Sequence, residues 1–119
     1  MNIDNLREAA QEMRKEFEQK QISTELLATL YLQYQPIENI GTFLRCAEEM
    51  FPKLNCGIAS IYLKYCLRMG EIIQGKYGND NHSFLLLDEK FVVDITADQY
   101  GGPPVYVDVL KPPWTLSST

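Results

Sequence analysis

The stretch Asn55-Cys56-Gly57-Ile58-Ala59-Ser60-Ile61-Tyr62-Leu63-Lys64-Tyr65-Cys66-Leu67-Arg68-Met69-Gly70 sets the architecture. Ser60, Lys64 and Arg68 follow one another at four-residue steps, so they form one narrow polar stripe on a helix. Nearly every other position from Ile58 to Met69 is apolar. A helix that is apolar on most sides must be packed on most sides. The spacing therefore predicts a buried central helix from Cys56 to Met69, with Gly70 as its C-cap.

Upstream of that helix the chain reads helical. Leu6, Ala10, Met13 and Phe17 alternate steps of four and three, which makes one apolar stripe on a helix from Asp4 to Lys20. The Glu, Gln, Lys and Arg residues between them read as its solvated face. Ser23 offers a capping hydroxyl to a second helix carrying Leu26, Leu27, Leu30 and Tyr31. That helix should end before Pro36, because the residue before a proline avoids helical angles. A third helix is expected from about Asn39 to Met50, stopping near Pro52, with Glu48 and Glu49 at the surface.

Downstream the pattern changes to short β-like runs: Ile72-Ile73, Ser83 to Leu87, Phe91 to Thr96, and Val105 to Val109. Asp88-Glu89-Lys90 reads as a hairpin turn, Lys76 to Asn81 as a polar loop, and Gly101-Gly102-Pro103-Pro104 as a break. Residues from Pro112 on read as a loose tail. Helices followed by strands give an α+β class, a helical N-terminal half packed on a small antiparallel sheet. The expected organisation is one domain over 1–119: a helical part to residue 54, a core over 55–110 and a tail over 111–119.

Composition narrows the function. The net charge of -5 argues against nucleic acid, whose binding rests on Lys and Arg neutralising phosphates. No basic stripe points to a membrane surface and no apolar stretch is long enough to span one. Met1-Asn2-Ile3-Asp4-Asn5 is polar and acidic, unlike a signal peptide. Cys46, Cys56 and Cys66 are an odd set without a CxxC pair, and His82 is the single histidine. That supply fits neither a disulfide framework nor a zinc site, so no metal is expected. The plain expectation is a cytoplasmic, reducing location, or export by a route that needs no cleaved signal. Cys46 and Cys66 read as buried structural thiols.

Cys56 differs because of its place. At a helix N-terminus the unpaired amides and the helix dipole favour an anion, which lowers a thiol's pKa toward the nucleophilic thiolate. Asn55 reads as the N-cap, and its side chain or the Cys56 amide as a donor to an oxyanion. Gly57 would let a substrate approach the backbone closely. A nucleophilic thiol needs a base, and His82 stands where the polar loop enters a strand. Asp94 fits as the group that orients it. If residues 88–90 form the turn, Leu87 pairs with Phe91, and His82 and Asp94 point diagonally to one face. Asp98 is the fallback, and Asp88, at the far end of the hairpin, the poorest choice. Gln99 either lines the cleft and binds substrate or satisfies a backbone group. Tyr100 and Tyr106 read as packing residues and Tyr77 as a loop aromatic.

Three motifs carry a family resemblance. Cys56-Gly57-Ile58-Ala59-Ser60 opening an apolar helix resembles the cysteine motif of the papain-like and transglutaminase-like superfamily. His82-Ser83-Phe84 is similar to its histidine motif, and Val93-Asp94-Ile95-Thr96 with Gln99-Tyr100 resembles its Asp-x-Thr motif. The order Cys, His, Asp is the family's, and the small size resembles the short papain-fold toxin domains of bacterial effector proteins. No Gln precedes Cys56 at the family's oxyanion spacing, and Trp114, the one tryptophan, is remote from it in sequence. The resemblance spans about residues 55–107. It implies a thiol hydrolase or acyl transferase acting on amide bonds of proteins or peptides, without metal or organic cofactor. A cognate immunity or inhibitor protein would be a further partner. The alternative is a non-catalytic protein-binding module that keeps the fold.

Overall fold

The computed structural model describes residues 2–116. Four helices come first: α1 (Ile3–Glu18), α2 (Thr24–Tyr34), α3 (Ile40–Met50) and α4 (Cys56–Leu67). Five strands follow: β1 (Glu71–Tyr77), β2 (Asp80–Leu87), β3 (Phe91–Asp94), β4 (Tyr106–Val109) and β5 (Trp114–Thr115). A 3-10 turn, Ala97–Tyr100, links β3 to β4. The strands form one antiparallel sheet in the order β4-β3-β2-β1-β5. The α+β class stands. Among the described residues, no helix is long and apolar enough to cross a membrane.

Local chemistry explains the helix ends. The Asn2 side chain accepts from the amides of Asp4 and Asn5, and the Ser23 hydroxyl accepts from the Leu26 amide. α4 stops at Arg68, which takes left-handed backbone angles (φ 58°) and turns its amide onto the Lys64 carbonyl. The cap is therefore Arg68, not Gly70. Gly70 has a different task. It sits at φ +95°, and a Cβ there would lie 2.5 Å from Leu87 Cδ2, so the chain crosses the sheet against a leucine that only glycine clears.

The core has two parts. Leu6, Ala10, Met13 and Phe17 of α1, with Leu44, Ala47, Ile58 and Leu63, pack on Leu85, Leu87, Val93 and Ile95 of the sheet. Phe84, Leu86, Val92, Ala97 and Trp114 form the second cluster. Alternation along β2 and β3 separates the two sets. Only the first part of α4 is enclosed. Ile58 to Leu63 are buried, whereas Lys64, Tyr65 and Cys66 are exposed. Ser60 survives in the core because its hydroxyl donates to the Cys56 carbonyl at 2.6 Å.

Four expectations are corrected. The loop over 76–81 is two strands joined at Gly78-Asn79, with Tyr77 opposite Asp80 and Gly78 at φ +63° in the first turn position. Tyr77 is thus a strand residue, and His82 lies inside β2. The tail is not loose at its start. Trp114 is buried and pairs with Tyr77 on β1, stacked on Tyr106 with ring centroids 3.9 Å apart. An indole of that area buries strongly once a sheet edge is available to receive it. The last tail positions, 117–119, lie outside the described residues. Cys46 and Cys66 are exposed, because their helices turn those faces outward. Arg14, read as part of a solvated face, is buried.

Candidate functional site

The Asp88-Glu89-Lys90 turn sets the register of β2 against β3, and Leu87 lies opposite Phe91. From there, alternation puts His82 and Asp94 on one face and diagonal to each other. His82 Nε2 and Asp94 Oδ2 are 2.6 Å apart, and both residues are 2% exposed. Asp94 Oδ1 accepts from the Thr96 amide at 2.9 Å, which explains the Asp-x-Thr pattern as a turn folded back on its own carboxylate. Trp114 Nε1 donates to Asp94 Oδ2 at 2.8 Å. A carboxylate can only accept, so Nε2 of His82 carries the hydrogen. That leaves Nδ1 as the free lone pair, and Nδ1 is buried with no hydrogen-bond partner among the described residues.

Cys56, partly exposed at the start of α4, is the group nearest in effect to that lone pair. Burial pushes its thiol up, but His82 and the Ser83 backbone pull it down further, and the net pKa lies below the ordinary thiol value. The reciprocal effect appears on the imidazole. Burial lowers the pKa of His82, yet Asp94 and then Cys56 raise it to about 9. A thiol lowered and an imidazole raised share a pH range in which the pair is thiolate and imidazolium.

Asn55 does not have the expected place. Its Nδ2 donates to the carbonyls of Ala47 (2.8 Å) and Lys53 (2.7 Å), and its side chain makes no cap bond to α4. Both amide hydrogens are spent on tying α3 to the start of α4, so the side chain is no oxyanion donor. The first bond of α4 runs from the Ala59 amide to the Asn55 carbonyl, which leaves the helix's leading amides, Cys56 first, as the donors at the thiol. Gln99 sits on the 3-10 turn and lines a cleft with Cys56, and its Nε2 is buried without a partner among the described residues. Asp98, the fallback for Asp94, faces away from the histidine. It binds Arg14 with both oxygens at 2.8 Å.

Two residues escaped the sequence reading. Arg14 also donates to the Ile95 carbonyl at 2.8 Å and lies over the Phe51 ring, so α1 holds the turn that carries Gln99. Trp114 anchors Asp94. Their partners lie far away in sequence, and no local pattern marks either one. Around His82, Tyr100 packs edge-on at 5.3 Å between centroids and Tyr77 at 6.3 Å, and the Tyr100 hydroxyl donates to the Asn81 carbonyl. These rings keep water from the imidazole and support its orientation.

Among the described residues no cluster of three His, Cys, Asp or Glu is placed to hold a metal ion. No family model matches this chain, no curated protein matches it, and no solved structure matches it.

Proposed function

We propose that this protein is a thiol enzyme that acts on amide or acyl groups through Cys56, His82 and Asp94. The observation that carries the reading is the buried His82–Asp94 hydrogen bond at 2.6 Å, with the other imidazole nitrogen left without a partner beside a thiol of lowered pKa. In the reaction, the Cys56 proton passes to His82 Nδ1, and Sγ forms a bond to the carbonyl carbon. The leading amides of α4 and Gln99 Nε2 donate to the oxyanion. The tetrahedral intermediate collapses, the carbon–nitrogen bond breaks, and His82 returns its proton to the leaving amine. Water or a second amine then attacks the thioester, with His82 as base. Asp94 holds Nε2–H and so keeps Nδ1 aimed at the sulfur. Protein or peptide amides are the substrate class that the motifs suggest.

The test is a burst of p-nitrophenol from p-nitrophenyl acetate. One equivalent per chain is expected from the wild type and none from Cys56→Ala. The acylation rate of this activated ester should rise with pH as Cys56 ionises and then level off, because p-nitrophenolate leaves without a proton from His82. A wild-type chain with no burst, or a burst that survives Cys56→Ala, overturns the reading and leaves a binding module.

A further inference from the structure

Cys56 stands between two clefts. One, of about 440 Å³, is lined by Gln74, Gly75, Asn81, His82 and Ser83. The other, of about 320 Å³, starts at Cys56 and Gly57 and is walled by Tyr31, Tyr34, Phe43 and Leu54, with Gln99 and Tyr100 at its side. His82 lines the first and not the second. That asymmetry gives the reaction a direction. The amine that receives a proton from His82 must lie on the histidine's side. The acyl group stays bonded to Sγ and must lie on the other.

We propose that the cleft walled by Tyr31, Phe43 and Leu54 is the acyl subsite, and that it takes an uncharged acyl group with an aromatic or bulky apolar side chain. This inference rests on the thiol-enzyme reading and deepens it. Three observations support the choice of ligand. The apolar side of this cleft is open to solvent, with Tyr34 38% and Leu54 46% exposed, while Gln35, Gln74 and Ser83 line the remainder. Exposed apolar surface gathered in a concave site is what an apolar ligand covers. Neither cleft is lined by Lys, Arg, Asp or Glu, so a charged acyl group would be desolvated there without a partner. Gln99, at the side of the cleft, brings a neutral amide whose Nε2 has no partner among the described residues, which suits an uncharged acyl group. The floor is Gly57. A Cβ there would stand 3.8 Å from Tyr31 Cε2, so the fold does not need the glycine, but a larger side chain would fill the cleft.

The experiment compares acylation rates of the full chain by p-nitrophenyl esters of acetate, N-acetylglycine, N-acetylphenylalanine and N-acetylglutamate. Activated esters leave without help from His82, so the series reads acyl recognition alone. The phenylalanyl ester is expected to exceed the glycyl ester by about ten- to hundredfold, with the glutamyl ester no better than the glycyl. Gly57→Leu should cut the phenylalanyl-to-glycyl ratio at least tenfold. Gly57→Ala, which adds only an ordinary contact, should give an intermediate ratio if the longer side chain disturbs folding. Equal rates across the series, preference for the charged acyl group, or a ratio unmoved in both variants overturns the acyl subsite while the thiol-enzyme reading stands. No acylation by any ester overturns both.

Discussion

The two ends of α4 carry the same functional group to opposite effect. Cys56 opens the helix and has its thiol pKa lowered, with burial opposed and exceeded by His82 and Ser83. Cys66, in the last turn, is exposed at the surface but still partly desolvated, and this, then the charge of Glu16, pushes its thiol up against a hydrogen bond with Tyr62. The helix dipole adds to the contrast, since its N-terminal end favours a thiolate and its C-terminal end disfavours one. The difference in thiol acidity therefore belongs to a position. A helix start, an imidazole and a strand amide converge on one sulfur, and on the other they do not.

Removing the imidazole should erase most of that difference. In His82→Ala, acylation of Cys56 is expected to fall by about 10²- to 10⁴-fold, the usual contribution of a positioned base, measured as burst rate. Breaking the support of the reactive end comes next. Arg14→Met strands Asp98 and releases the turn that carries Gln99. It should cost about 1.5–3 kcal/mol in denaturant unfolding, the range for hydrogen bonds to charged groups at a partly buried site. Trp114→Phe keeps a ring against Tyr106 but removes the donor to Asp94. A loss of about 0.5–1.5 kcal/mol in stability and about a tenfold loss of acylation rate are expected. A variant with full rate would make Trp114 a packing residue only. At the silent end, Cys66→Ser should change stability by less than about 0.5 kcal/mol and leave the acylation rate unaltered.

The same contrast marks what could be read from the sequence. Period and parity carried the helices, the middle of β1 to β4 and the His82–Asp94 register, but not the β1–β2 turn at 78–79 or β5. Three features were out of reach, two of them because their partners lie far along the chain. Arg14 finds Asp98 across 84 positions, and Trp114 finds Asp94 across 20, so local propensity held no trace of either pairing. Asn55 looked like a cap by residue type, yet the path of the chain from α3 brought the carbonyls of Ala47 and Lys53 to its amide first. The apolar pattern of α4 overstated its burial for a related reason. The sheet covers the helix only as far as Leu63, and no residue beyond it can report that in advance.

The central claim, that Cys56 is an activated thiol because of its neighbours, is most directly tested by the pH dependence of iodoacetamide labelling at each cysteine, followed by mass spectrometry in wild type and His82→Ala. Cys56 should label with a midpoint below the ordinary thiol value of about 8.5, well under that of Cys66. That midpoint should move up when His82 is removed. A Cys56 midpoint at or above that of Cys66, or one indifferent to His82 in the folded chain, would contradict the account.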